Sequence, residues 1–283
     1  MGGRAVLGVL LGVAIVIAVI VLGKRFLPNP DEKIEWVRRA DAVIVQMKSF
    51  GGDSMIWSLD APPSFTLYGD GTLIVSEATE GCGAAADDPC SARLLQSRLS
   101  DHDIQELLQF IDGTGFLNFR YEQPVPPVQG APTAYFYVST KSAANAVRAS
   151  TLGWEPQGGA EWSEFRKLKT IDQRLQELRG QAVETSTPFA SAEGELKIVP
   201  LVANDLIGVP EWPFPQFDIA AAAPSTSDGH LRLSAGELAP LELTDTSAAY
   251  CWCSVQQSGR LFNVIYRPVL PYEENFPEFE GQR

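Results

Sequence analysis

Positive charge is scarce in this sequence of 283 residues. It carries 22 Lys and Arg against 35 Asp and Glu, which gives a formal net charge of −13. A protein of that sign repels the phosphate backbone of nucleic acids unless its cations are clustered, and here they are dispersed along the chain. We therefore expect no nucleic-acid partner.

Histidines are few, and the signatures of common enzymes are absent. The two histidines are His102, in the first turn of a predicted helix, and His230, in a predicted loop. The nucleophile elbow Gly-x-Ser-x-Gly, the Ser-x-x-Lys pair, the zinc motif His-Glu-x-x-His and the phosphate-binding Gly-x4-Gly-Lys-Ser/Thr are all absent from the sequence. We assign no catalytic, cofactor-binding or metal-binding residue, which favours a protein without catalysis and without a cofactor.

A long hydrophobic run, by contrast, is present. Residues 5–23 form a stretch of 19 positions without a charge, an amide or a hydroxyl. As a helix this stretch is about 28 Å long, which matches the hydrocarbon core of a bilayer. It is longer than the apolar core of a signal peptide and ends in Gly-Lys-Arg rather than at a small-residue cleavage site. The sequence therefore predicts an uncleaved transmembrane anchor over residues 1–25. No cysteine lies near the end of the run, so the sequence offers no site for a lipid anchor there.

The charges around the anchor leave its orientation open. Arg4 precedes the run, whereas Lys24, Arg25 and further cations follow it, and that count favours a cytoplasmic body. Long domains are translocated largely regardless of such charges, and four cysteines suit an oxidising compartment. We expect a single-pass protein of the cell membrane with an extracytoplasmic body. Residues 26–283 carry 19 basic and 35 acidic side chains, a net charge of −16 that keeps this body away from anionic lipid headgroups.

Residues 26–180 predict an α+β domain with an antiparallel sheet. Short β-branched or alternating apolar segments predict its strands, at 42–47, 64–68, 72–76, 133–139 and 144–150. The second and third of these form a hairpin around Gly69-Asp70-Gly71, and the last two form a second antiparallel pair. Two main helices are predicted, one over 100–111 with Ser100 as its N-cap and one over 161–178 with apolar residues at steps of three and four.

The rest of the chain predicts a second, β-rich part. Residues 181–194 lose periodicity and gain small polar residues, which is typical of a linker or an exposed crossing. Residues 195–283 contain predicted strands at 195–202, 249–256 and 260–266, the last two joined through Ser258-Gly259. The chain then ends in an acidic, proline-rich tail.

The four cysteines fall into two pairs. Cys82 and Cys90 flank a flexible, turn-forming stretch that would close as a disulfide in an oxidising compartment. Cys251 and Cys253 are one residue apart on a predicted strand, where a direct bond between them would be strained, so two free thiols are the alternative. All four together would satisfy the ligand number of zinc, but neither spacing is a usual zinc spacing, and we favour the disulfide.

A proline-rich loop carries two aromatic residues, Trp212 and Phe214. The prolines around them exclude a regular helix. The two rings can form a contact patch for a partner or can pack as the core of the loop, and the sequence leaves both interpretations open.

Several short motifs also carry a resemblance. They are Phe65 to Gly71, the Leu107-Leu108 helix, Pro132-Thr133, Leu152-Gly153 and the closing Arg267-Pro268-Val269-Leu270-Pro271. Together they resemble an uncharacterised group of bacterial membrane-anchored or lipoprotein-like proteins of the kind seen in Chloroflexota. Because these motifs consist of turn and core residues, the resemblance implies an α+β envelope protein and no particular activity.

Three interpretations of function remain. In the first, the body is a non-catalytic binding or structural module outside the membrane, with another envelope protein or a small ligand as its partner. In the second, it is an envelope thiol enzyme that uses Cys251 and Cys253. In the third, it is a domain that faces the cytoplasm on the same anchor.

Overall fold

The structure is a computed structural model that describes residues 33–50, 62–78, 90–118, 120–121, 133–150, 152, 162–191, 193–201, 209–222, 230–238, 241 and 248–273. The predicted transmembrane anchor, residues 1–25, and Cys82 lie outside the described residues. Within the described ranges, no helix combines the length and the apolar character needed to cross a membrane.

The described elements form an α+β fold with an antiparallel sheet and few helices, as the sequence predicted. The strands are β1 (Val43–Phe50), β2 (Phe65–Tyr68), β3 (Thr72–Ala78), β4 (Cys90–Arg98), β5 (Thr133–Ser139), β6 (Ala144–Ser150), β7 (Thr187–Pro188), β8 (Glu193–Leu201), β9 (His230–Ser234), β10 (Ala248–Gln257) and β11 (Arg260–Pro268). They form one 11-stranded sheet in the order β6-β5-β1-β2-β3-β4-β10-β11-β8-β9, with the short β7 paired to β4.

Three hairpins occur where the sequence predicts them. β2 pairs with β3, β5 with β6 and β10 with β11, all antiparallel. The turn between β10 and β11 has Ser258 at φ 52° and Gly259 at φ 73°. Two consecutive residues with positive φ match the twist of the flanking strands, which explains the Ser-Gly sequence at this turn.

Two main helices pack on the sheet. They are α1 (Asp101–Gly113) and α2 (Ser163–Thr185). The described residues also include a 3-10 turn (Phe116–Asn118) and two short helices, α3 (Ile219–Ala222) and α4 (Ala235–Leu238). Ser100 caps α1 as predicted, because its hydroxyl accepts from the Asp103 N–H while the Asp103 carboxylate accepts from the Ser100 N–H. The buried faces of both helices join the first core cluster with β1, β2, β3 and β5.

The structure differs from the interpretation of residues 181–194 as a linker or exposed crossing. Helix α2 continues to Thr185, and Ala182 is buried against the first core. Thr187 and Pro188 then pair with β4, and the Phe189 N–H donates to the Leu94 carbonyl at 2.9 Å. Phe189 is buried. The segment therefore contacts the sheet as it crosses it. The Phe189 side chain and two backbone pairs with β4 hold it there, although its composition is that of a loop.

The sheet is continuous through both predicted parts of the body. A second core cluster lies on β8, β10 and β11 and includes Leu196, Phe262 and Val264. The two parts meet where β4 pairs with β10, over only four residue pairs from Ala248 opposite Arg93 to Cys251 opposite Cys90.

The first described residues are packed into the body. The Trp36 side chain is only 3% exposed, and its indole N–H donates to the Gly69 carbonyl at 3.0 Å. The Gly69 N–H in turn donates to the Ala42 carbonyl at 2.8 Å. The extended segment 33–42, called here the N-terminal arm, therefore lies directly on the turn between β2 and β3.

Candidate functional site

Strands β8 and β9 direct apolar residues to the second core on one face and carry charged residues on the other, and Arg267 of β11 joins this charged face. Leu196 on β8 lies opposite Tyr266 on β11, and both are buried in the second core. The next residue, Glu195, lies opposite Arg267 on β11 and Arg232 on β9. Because side chains alternate along a strand, these charged residues share the face opposite to the second core.

Four residues on this face form the Glu195 cluster: Glu195, His230, Arg267 and Glu273. Glu195 Oε1 lies 2.9 Å from His230 Nδ1, and Glu195 Oε2 forms an ion pair with Arg267. Arg267 Nη1 also donates to Glu273 Oε2 at 2.8 Å. The side chains of Arg267 and Glu195 are only 15% and 20% exposed. The cluster is thus a largely buried chain of ion pairs and hydrogen bonds that links three strands.

The cluster keeps Glu195 ionised. Burial on its own raises the pKa of a carboxyl group, but the hydrogen bond from His230 and the charge of Arg267 outweigh that effect and lower the pKa of Glu195 from 4.5 to about 2. A general acid or base works best with a pKa near the operating pH. Glu195 is therefore suited to structural ion pairing rather than to proton transfer.

The low pKa of Glu195 predicts a pH-dependent contribution to stability. We expect Glu195→Gln to lower the free energy of unfolding at pH 7 by about 2–3 kcal/mol, because the variant removes the Glu195 carboxylate from the buried Arg267. A carboxyl group whose pKa is lower in the folded state stabilises that state fully when the pH is above its unfolded pKa of 4.5. This contribution to stability is lost as the pH falls towards 2. Urea unfolding at several pH values should show the difference between wild type and variant shrinking between about pH 5 and pH 2.

The same strand offers a matched control. Glu193 accepts from Arg232 Nε at 2.6 Å, but these side chains are 49% and 54% exposed. Exposed ion pairs contribute little, so Glu193→Gln should cost less than about 1 kcal/mol. Equal losses for the two variants would contradict the assignment of Glu195 to a buried network.

An open groove lies beside the cluster and is lined by Glu193, Arg232, Leu233, Ser234 and Glu237. Its polar groups bind one another. Glu237 Oε2 accepts from the Ser234 N–H at 2.8 Å and from the Ser234 hydroxyl at 2.6 Å, and Arg232 is paired with Glu193. These contacts hold the start of α4 on the end of β9.

The two aromatic residues of the proline-rich loop, Trp212 and Phe214, are buried to different degrees. Trp212 is 4% exposed and belongs to the second core, and its backbone N–H donates to the Gln256 carbonyl at 2.8 Å. Phe214 is partly buried, with its ring centroid 5.2 Å from that of Trp212. A contact patch needs exposed rings, so the structure favours the other interpretation, in which Trp212 is the core of the loop.

The structure describes three of the four cysteines, and they lie on the neighbouring strands β4 and β10. Cys90 is the first residue of β4, and Cys251 and Cys253 both lie on β10, in a strand as predicted. Among the described residues, no group of three or more His, Cys, Asp or Glu side chains could hold a metal ion. His230 differs from its prediction, because it begins β9 opposite Lys197 and does not lie in a loop.

The sequence did not indicate the Glu195 cluster. Glu195 and His230 are 35 positions apart, and only the pairing of β8 with β9 brings them together. The family resemblance stays a prediction. Comparison of the chain with protein-family models, with curated proteins and with solved structures found no match in any of the three.

Proposed function

We propose that the chain is a single-pass membrane protein whose body is a non-catalytic binding or structural module on the extracytoplasmic side. The observation that carries the proposal is the uncharged run of 19 residues, 5–23. Thirteen of them are Val, Leu or Ile, which favours insertion by roughly 4–8 kcal/mol at the values measured for these side chains in a membrane helix.

Two features of the body support the proposal. The N-terminal arm packs Trp36 into the first core, so the chain that follows the proposed anchor joins the sheet without a long spacer. The Glu195 cluster binds its own charges to one another and holds a carboxylate whose pKa is about 2, which suits a structural role.

Membrane anchoring is tested with charges placed inside the run. Wild-type protein should sediment with membranes in a high-speed spin, resist extraction at alkaline pH and need detergent for release. Val13→Lys combined with Ile15→Lys raises the free energy of insertion by roughly 6–8 kcal/mol and should move the unclipped chain into the soluble fraction. Val13→Leu with Ile15→Leu is the control and should stay in the membrane. Full-length wild-type protein that is soluble without detergent would exclude the anchor.

The side of the membrane is tested separately. A reporter enzyme that is active only outside the cytoplasm, fused after Arg283, should be active in the full-length fusion. Activity of a cytoplasm-dependent reporter at the same position would instead support the cytoplasmic orientation that the Lys and Arg count favours.

A further inference from the structure

The short ladder between β4 and β10 places two cysteines directly opposite each other. Cys90 begins β4, Cys251 lies in β10, and the antiparallel register makes the two residues partners. In sequence they are 161 positions apart, so neither spacing nor local pattern indicated the pair. We propose that Cys90 and Cys251 form a disulfide that joins the two parts of the sheet.

The backbone geometry of such a pair suits a disulfide. Residues directly opposite each other in antiparallel strands have Cα atoms roughly 4.5–5.5 Å apart. A disulfide needs Cα atoms about 4.4–6.8 Å apart, so the register brings the two backbones within reach without any shift.

The other cysteines have no comparable placement among the described residues. The ladder between β4 and β10 ends at Cys251, and the register of β10 with β11 shifts between Trp252 and Val255, a stretch that contains Cys253. Cys253 is therefore at an irregular point of β10. The pairing of Cys90 with Cys82, which the sequence favoured, would use the same Cys90 sulfur and is the competing arrangement.

The bond would stand at the short ladder that joins the two parts of the sheet. β4 and β10 share four residue pairs, whereas β10 and β11, and β11 and β8, pair over most of their lengths. Next to the pair, Ala249 on β10 and Ile265 on β11 are buried, with 0% and 1% exposure.

Formation of the bond balances as an exchange with a disulfide oxidant. The thiolate of one cysteine attacks an oxidant R–S–S–R, forms a mixed disulfide and releases one thiolate RS⁻. The thiolate of the other cysteine then attacks the first cysteine's sulfur and releases the second RS⁻. The two protons from Cys90 and Cys251 end on the two RSH products, and the oxidant takes up the two electrons.

Peptide mapping of full-length protein, alkylated with N-ethylmaleimide at lysis and kept unreduced, identifies the bond. Trypsin leaves Cys82 and Cys90 together in the peptide 49–93 and Cys251 and Cys253 together in the peptide 233–260. We expect these two peptides to be joined and to separate on reduction. A second cleavage before Asp87 or Asp88 divides Cys82 from Cys90 and should leave the bond on the Cys90 fragment. A bond within 49–93 would overturn the proposal in favour of Cys82 with Cys90.

Matched serine variants assign the sulfur atoms. Cys90→Ser and Cys251→Ser should each abolish the linked peptides, whereas Cys82→Ser and Cys253→Ser should keep them. Linked peptides that persist in Cys90→Ser or Cys251→Ser would overturn the proposal.

Oxidised glutathione, added to the purified, detergent-solubilised full chain, tests whether Cys90 and Cys251 can form the bond independently of the redox state of their compartment in the cell. The bond should close with this oxidant, and its reduction should lower the melting temperature by about 5–10 °C. Failure to close would overturn the proposal. A bond that closes in the purified protein, although all four cysteines are alkylated as free thiols at lysis, would support the pairing of Cys90 with Cys251. That combination would count against the extracytoplasmic side in the proposed function.

Discussion

Replacing Trp212 with alanine should lower the free energy of unfolding by about 3–5 kcal/mol, the usual cost of removing a large buried aromatic side chain. The side chain is 4% exposed and packs in the second core, so its loss leaves a cavity between the loop and the sheet. The backbone bond from the Trp212 N–H to the Gln256 carbonyl does not involve the side chain and remains. Urea unfolding of the detergent-solubilised protein, followed by circular dichroism, measures the loss.

Phe214→Ala is the matched control for this prediction. Phe214 lies beside Trp212 but is only partly buried, so its truncation should cost about 1–2 kcal/mol. If Trp212→Ala left stability unchanged, the contact-patch interpretation from the sequence would regain its support, because an exposed contact residue is removed at little cost to folding.

Gly69→Ala should lower the free energy of unfolding by about 3 kcal/mol, for a reason of space rather than of backbone angle. A Cβ atom at this position would lie 1.8 Å from the Val37 carbonyl oxygen and 2.9 Å from the Arg39 carbonyl oxygen. Both oxygens belong to the backbone of the N-terminal arm, so relief requires the arm to move off the turn. That movement would also strain the bond from Trp36 to the Gly69 carbonyl. Thermal unfolding of wild type and variant measures the effect.

Gly180→Ala serves as the control for this substitution. Nothing lies within 4 Å of a Cβ atom built at Gly180, which is inside α2. Alanine is the better helix former by about 0.5–1 kcal/mol, so this variant should be slightly more stable than wild type. If Gly69→Ala were as well tolerated as Gly180→Ala, the arm would not lie on the turn.

The local elements of this fold could be predicted because their signals are local. The hairpin of β2 and β3 shows alternating apolar residues around Gly69-Asp70-Gly71, and α1 shows a capping serine followed by a regular apolar face. Each signal lies within one window of the chain, and the packing of the element only reinforces it. The structure therefore agrees with the sequence for these elements to within a few residues.

Strand β4 shows why other elements could not be predicted. Its two large apolar residues, Leu94 and Leu95, are adjacent, so the segment has no period of two. They are buried on opposite faces of the sheet, in different core clusters. The strand is held by pairing with β3, β10 and β7 rather than by its own pattern. Tertiary pairing of this kind overrides weak β propensity.

The candidate site was hidden for the same reason. Arg267 lies 72 positions from Glu195, in the closing motif Arg267-Pro268-Val269-Leu270-Pro271, whose pattern is that of a turn. The register of β8 with β11 makes the two residues direct neighbours, and the pairing of β8 with β9 brings His230 to the same carboxylate. The hydrogen bond with His230 and the charge of Arg267 together lower the pKa of Glu195. A single sequence does not show strand order, so it does not show which charges meet.

The burial of Trp36 limits how far the folded body can lie from the proposed anchor. Eleven peptide units separate Arg25 from Trp36, and a chain of that length extends at most about 40 Å whatever path it takes. On the proposed anchoring, Trp36 stays within that distance of the bilayer surface. A neighbour in the same membrane would then meet the body by lateral diffusion at a high local concentration, whereas a dissolved molecule would first have to arrive at that surface.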